Sequence, residues 1–294
     1  MGKKKHINER IRAARRENKC KHAGELARIR KEEHMKAPNI DIDVVIPISG
    51  GMYLGHLENC LVALAKQQFQ RANMGITVSC VMYEKINEAA LARLCMEHEA
   101  TLVFSKPRNK VFNRGFALNV GARQGSRQLI ALVDADVCLH SSTLLTASRF
   151  CQSAVMAVIP VARTQFAPDH KVWTSGELEN KKAWIKLADN CEYAKGGFGN
   201  AVLQRRVFEQ VHGHDERFFG WGGIDTDLYY RCLKVGAVVD LGDVGVPRAL
   251  HQSHPTPPSR KNDKYTRRNR ELLAGSHSIV RNSERWGRVL AKKR

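Results

Sequence analysis

Two aspartates close a strongly apolar run in this chain of 294 residues. Residues 129–133 read "LIALV", and Asp134, Ala135 and Asp136 come directly after. Along an extended chain, residues two apart project to the same side. Two carboxylates so placed could share a cation and a diphosphate. A divalent metal with hard oxygen ligands suits them, because it neutralises a departing nucleoside diphosphate. Asp-x-Asp at a strand end is also ordinary turn chemistry. A second acidic pair, Asp225 and Asp227, stands behind the stretch "GWGG" at 220–223. Glycine loses the most backbone freedom on ordering, so this cluster implies a compensating role for the aspartates behind it. One reading is a carboxylate near a helix N-terminus, where negative charge is favoured; the other is a carboxylate aimed at a substrate. Late in the chain "ALHQSHP" adds His251 and His254.

These groups need a frame, and the apolar pattern describes one. "DVVIPIS" (43–49) is a short β-branched run ended by two glycines, the signature of a buried strand. "YLGHLENCLVALAKQQ" continues at helical spacing, then come a strand in "ITVSCVMYE", a helix over "INEAALARLCMEHE" and a strand in "ATLVFS". The helix "NRGFALNVGARQG" leads into the strand that ends at Asp134. "MAVIPVARTQF" reads as one further strand, and "AVVDLGDV" and "RALHQSH" as late ones. Strands alternating with helices predict an α/β fold, a mostly parallel sheet covered on both faces. In such sheets ligands collect at the carboxyl ends of strands.

The net charge of +19 is unevenly spread. Residues 1–38 carry a net +8 and residues 248–294 a net +10, leaving +1 for the body between them. The expected organisation is a basic helical extension (1–38), a domain (39–254), and a basic mobile loop with a C-terminal helix (255–294). A near-neutral body with two basic ends suggests a core brought to a polyanion; the plainer alternative is tails that keep the protein soluble. No run approaches the roughly 20 apolar residues of a membrane span, and the basic N-terminus has no apolar core of a secretory signal. The eight cysteines form no CxxC pair, which argues against a zinc knuckle or a disulfide framework. A cytoplasmic setting is therefore the expectation, in a bacterial or virus-infected cell, or peripheral at a membrane.

The order "VFNRGFALNVGA", "VDADV", "GWGGIDTD", late histidine resembles the A-type fold nucleotide-sugar glycosyltransferases. The likeness is to the galactosyltransferase C-terminal module shared by beta-1,4-galactosyltransferases, chondroitin polymerases and polypeptide N-acetylgalactosaminyltransferases. It runs from about Val44 to His254 and rests on the combination, not on any single motif. It implies a UDP-sugar donor and a single inverting displacement. Pro47, Phe112, Asn113, Arg114, Asp134, Ala135, Trp221, Gly222 and Gly223 would bind the donor. Asp136 would ligate Mn²⁺ (or Mg²⁺), Asp134 would touch the ribose or the metal, and His251 would complete the shell, with His254 the alternative. Asp225 would be the general base. Asn119 is either a helix-to-loop hydrogen bonder or a ligand contact.

One departure bears on the acceptor. The family has Glu-Asp after Trp-Gly-Gly, whereas this chain has Ile224-Asp225. Ile224, with Asp227 and Gly197, is therefore expected on the acceptor side as an apolar contact. Together with the basic ends this suggests a nucleic-acid acceptor such as a hydroxymethylated DNA base, extruded at a cost of a few kcal/mol. The alternatives are a capsule, lipooligosaccharide or other lipid-linked glycan built at an anionic membrane surface, and a non-catalytic nucleic-acid-binding protein.

Overall fold

The computed structural model describes residues 40–49, 54–82, 87–107, 111–163, 180–189, 192–193, 198–254, 263–275 and 278–288, with scattered positions between 9 and 27. The first half alternates β1 (Ile42–Ile48), α1 (Leu54–Ala65), β2 (Met74–Val81), α2 (Glu88–Glu97), β3 (Thr101–Ser105), α3 (Arg114–Ala122) and β4 (Leu129–Leu132). Next come β5 (Val137–Cys138), α4 (Thr143–Phe150), β6 (Met156–Val158), β7 (Val161–Arg163), α5 (Lys181–Asp189) and β8 (Glu192–Tyr193). The chain continues through β9 (Ala201–Gln204), α6 (Arg205–Gln210), α7 (Ile224–Val235), β10 (Val238–Asp240), β11 (Ala249–His251) and α8 (Asp263–Gly275).

Seven strands form the main sheet in the order β10-β6-β9-β4-β1-β2-β3. β1 lies parallel to β2 and β4, β2 to β3, and β10 to β6. β9 runs antiparallel to both neighbours. Every residue of β1 is buried, as a central strand covered on both faces requires. Helix α3 starts at Asn113, whose Oδ1 accepts the Phe116 N–H at 2.8 Å, and buries all residues from Gly115 to Ala122. The run "MAVIPVARTQF" does not make one strand. Pro160 has no N–H for a ladder, and the chain changes sheets there: β6 stays in the main sheet while β7 joins a smaller one, ordered β5-β11-β7-β8. That smaller sheet carries Val137 and His251 as register partners.

Both chain ends differ from the sequence reading. Asn18, expected on a solvated or polyanion-facing helix, is buried. Its Nδ2 donates to the Val238 carbonyl at 2.9 Å, and its Oδ1 accepts the Val238 N–H at 3.3 Å. It thereby closes polar groups on the edge strand β10. Residues 263–271, expected in a mobile loop, lie in α8; the rest of that loop, 255–262, lies outside the described residues. Residues 278–288, expected to be helical, form a non-helical strap. Its anchor is Trp286, 5% exposed, whose ring meets Phe208 edge-on at 5.6 Å beneath the Arg123 guanidinium at 4.1 Å.

Candidate active site

The carboxyl end of β4 and the residues just before β9 meet in one polar cluster. Val133 extends the pairing, its N–H donating to the Val45 carbonyl at 3.1 Å. The Asp134 N–H then donates to Asn200 Oδ1 at 2.8 Å, and Asn200 Nδ2 donates to Asp134 Oδ2 at 3.1 Å. Arg114, in the first turn of α3, completes the arrangement. Its Nε donates to Asp134 Oδ1, its Nη1 to Asp225 Oδ1 and its Nη2 to the Gly199 carbonyl, each at 2.6 Å. One guanidinium thus joins the Phe-Asn-Arg, Asp-x-Asp and Trp-Gly-Gly motifs, using the fixed fork that suits arginine to carboxylates. Burial alone would lower the Arg114 pKa, but the charges of Asp134 and Asp225 prevail and raise it. Burial raises the pKa of Asp134; Asp136 and Asp225 add to that, against the pull of Arg114.

Asp225 lies in the first turn of α7 and its side chain is 32% exposed. Its direction is set by Gly223, which caps the helix at φ 87°. A Cβ there would stand 2.9 Å from the Phe218 ring, in a left-handed conformation that side chains disfavour. Trp221 is 43% exposed beside it.

A second cluster adjoins the first. Asp136 Oδ2 lies 3.0 Å from His254 Nε2 and 3.4 Å from His251 Nε2. Their candidate ligand atoms all fall within 4.8 Å of one another. Both histidines are therefore brought to Asp136, rather than one in place of the other. Asp136 Oδ1 is buried without a hydrogen-bond partner. Burial raises the Asp136 pKa, but the His254 hydrogen bond and the charges of His251, His254 and His56 outweigh it and hold the carboxyl below its usual value. A carboxylate and two imidazoles with an unsatisfied buried oxygen fit a transition-metal dication. Asp134 is engaged with Arg114 and Asn200 and is not among these three residues.

Several expected contacts fall elsewhere. Ile224, expected to face an acceptor, is 7% exposed and turns inward against Gly115, where a Cβ would collide with its Cδ1. Asp227, expected beside it, is 1% exposed and bonded to Arg231 at 2.8 Å and Arg281 at 3.2 Å, so it cannot reach an acceptor. Asn113, expected to line the nucleotide pocket, is fully buried; besides capping α3, its Nδ2 donates to the Glu216 carbonyl at 2.7 Å. Asn119 is a helix-to-loop bonder, donating to the His214 carbonyl at 2.9 Å and accepting the His214 N–H at 2.8 Å. Pro47 is buried within β1, Ala135 is 8% exposed beside the cluster, and Phe112 is half-buried with its carbonyl accepting the Gly220 N–H at 3.0 Å. Gly222, at φ 93°, has open space where a Cβ would stand. Gly197 lies outside the described residues.

The sequence reading missed what holds the Trp221 loop. Asn269 of α8 is buried, and its Nδ2 donates to the carbonyls of Phe219 and Trp221 at 3.1 and 3.2 Å. From the strap, Asn282 Oδ1 accepts the Glu216 N–H at 3.0 Å and the Gly287 N–H donates to Glu216 Oε1 at 2.6 Å. Gly287 passes so near Asn119 that a Cβ would stand 2.5 Å from its carbonyl oxygen; that glycine in "RWGR" was the available signal.

Comparison with solved structures puts this architecture in context. S. aureus TarS residues 1–349 superpose with a TM-score of 0.53 at 15% identity, covering 80% of this chain and 65% of that one. A Pyrobaculum calidifontis mannosyltransferase solved with GDP-Man and Mn²⁺ gives a TM-score of 0.50 at 14% identity, covering 85% and 70%. The fold is that of the A-type glycosyltransferases. Within this A-type frame, a family model described as the N-terminal domain of galactosyltransferase matches residues 186–255, the stretch holding Trp221, Asp225, His251 and His254. Among curated proteins, mouse chondroitin sulfate N-acetylgalactosaminyltransferase 1 is 28% identical over 150 residues, which is 50% of this chain and 28% of that protein. Human chondroitin sulfate N-acetylgalactosaminyltransferase 2 is 29% identical over 161 residues, 53% of this chain and 29% of that one. This chain therefore spans under a third of the length of the curated relatives it matches.

Proposed function

We propose that this A-type chain is an inverting glycosyltransferase that moves a sugar from a UDP-sugar to an acceptor hydroxyl. The observation that carries this reading is the Arg114 fork, which sets a partly exposed carboxylate, Asp225, beside the Asp134–Asp136 strand end. Asp225 takes the acceptor proton as the acceptor oxygen bonds to the anomeric carbon, while the bond from that carbon to the diphosphate breaks and UDP leaves with the electron pair. Arg114 lies where it can meet the diphosphate, and donor binding would draw it from Asp225 and free the base. Trp221 offers its face to pyranose C–H groups. Asp136, His251 and His254 would hold a divalent cation, whose contribution is positive charge for the diphosphate. The solved complex of TarS with UDP, TM-score 0.53 at 14% identity, supports the donor class.

For the acceptor, the chain's basic ends favour a polyanion. Exposed Lys264, Arg267 and Arg270 form one stripe of α8, the helix that holds the Trp221 loop. A nucleic acid, such as DNA with hydroxymethylated bases, fits this charge; Ile224, turned inward, takes no part in holding a base. A glycan acceptor is the second reading, favoured by the names of the chondroitin sulfate relatives. The test incubates the protein with Mn²⁺ and a panel of UDP-sugars, then with hydroxymethylated duplex DNA, chondroitin oligosaccharides or lipid extract, and weighs the products. Transfer to DNA, weakening steeply with salt, is the expected result. Transfer to glycan or lipid alone would overturn the nucleic-acid reading, and no transfer or UDP release with any donor would overturn the activity.

A further inference from the structure

Two residues, Gln252 and Ser253, separate the histidines beside Asp136. Gln252 is fully buried, and its N–H and both side-chain groups are used. Its N–H donates to the Asp136 carbonyl at 2.8 Å. Its Oε1 accepts from Asn59 Nδ2 at 2.8 Å, and its Nε2 donates to the His56 carbonyl at 3.0 Å. His56 returns to the same segment, pairing through Nε2 with the Ser253 carbonyl at 3.0 Å. A carbonyl can only accept, so His56 carries its proton on Nε2. The His56 ring also stands edge-on to that of His254, 6.0 Å between centroids. Residues 251–254 are therefore fastened on one side to the backbone of Asp136 and on the other to the first turns of α1.

We infer that Gln252, backed by Asn59 and His56, is a positioning residue that fixes the spacing of Asp136, His251 and His254 and thereby sets their affinity for a divalent cation. This rests on the metal reading proposed for those three residues. The physical reason is that β11 ends at His251. His254, three residues on, stays beside Asp136 only if the intervening backbone is tied down. The Gln252 side chain ties it to α1 and the Gln252 amide ties it to Asp136. Groups that orient ligands typically change metal affinity by about 10–100-fold when removed.

The experiment measures Mn²⁺ binding to the full-length protein, without donor, from the free-ion electron paramagnetic resonance signal. Gln252→Leu is expected to weaken Mn²⁺ binding about 10–100-fold. Asn59→Ala, which removes one bond from a half-buried helix position, is expected to weaken it less and serves if Gln252→Leu fails to fold. Gln204→Leu is the control for a purely structural role. Gln204 is another buried glutamine, whose Nε2 donates to the Cys151 and Ala154 carbonyls at 2.8 and 3.1 Å. It is expected to lower the melting temperature and leave Mn²⁺ affinity unchanged. A parent that binds Mn²⁺ through Asp136, with both Gln252→Leu and Asn59→Ala within twofold of it, would overturn the positioning role alone. A parent that binds no Mn²⁺, or binds it as well after Asp136→Ala, would overturn the metal reading and this inference together.

Discussion

Asp43 and Asp134 belong to opposite ends of adjoining parallel strands, and each meets arginine. At the lower end Asp43 is closed: Arg127 Nη1 donates to Oδ1 at 3.0 Å, while Oδ2 accepts from Arg205 Nη2 at 2.8 Å and from the Arg127 N–H at 2.9 Å. Two cations serve one acid, and its side chain is 5% exposed. At the upper end one arginine is shared by Asp134 and Asp225, whose side chains are 28% and 32% exposed. Asp136 beside them keeps a buried oxygen without a hydrogen bond. The lower acid has both oxygens taken by partners within the protein, whereas the upper cluster sets three carboxylates against one arginine and is left acidic and partly accessible, ready for cationic or hydrogen-bonding partners from outside. The difference between the structural carboxylate and the proposed reactive one here is one of supply of partners, not of residue type.

Substitutions should break the two ends differently. The largest effect is expected from Asp225→Asn: turnover with the active donor falls about 10²–10⁴-fold, as general-base loss does, while donor affinity, read by calorimetry, stays within about threefold. Turnover within tenfold of the parent would remove Asp225 from the role of base. Asp43→Ala should invert that result, lowering unfolding free energy by about 3–5 kcal/mol because two arginines lose their buried partner, with turnover of the folded fraction retained. Asn269→Ala lies between these cases. It should cost about 1–3 kcal/mol for the unsatisfied Phe219 and Trp221 carbonyls and raise the acceptor KM, read from urea unfolding and steady-state rates. The smallest effect concerns pH. His214, between Arg114 and Arg231, has its pKa lowered, first by burial and then by those two charges. It folds neutral, so stability is full above the ordinary value of 6.5 and falls as pH drops below it, where the unfolded chain takes up the proton. In His214→Gln the decline of the urea midpoint between pH 7 and 5 should be shallower.

The sequence already contained the local parts of this picture. The alternation of β1 through β4 was written in apolar spacing, and the stops at Asp134 and Gly220 were written in composition. The motifs that meet at Arg114 could be named, but not the fact that one guanidinium would join them, because Arg114 and Asp225 are 111 residues apart. Asn18 and Val238, 220 residues apart, pair across a sheet edge that no periodicity describes. Asp227 was expected on the acceptor side, but Arg231, one turn on, and Arg281, 54 residues away in the strap, pair with it instead. Ile224 was placed on the acceptor side because it stands where the resembled family has Glu, and the first turn of α7 points it at Gly115 instead. Local pattern states what a segment can form, while partners distant in sequence decide which of its faces is seen.

The α7 start also bears on how such an enzyme could change its substrate. With Ile224 and Asp227 turned inward, Trp221, Gly222, Gly223, Asp225 and Thr226 of this junction retain solvent access, but Gly222 and Gly223 are held in left-handed conformations, at φ 93° and 87°. With Asp225 committed to chemistry as the proposed base, variation in acceptor choice would be channelled through positions 221 and 226. A library confined to those two sites would sample new specificities while leaving the packing beneath them untouched.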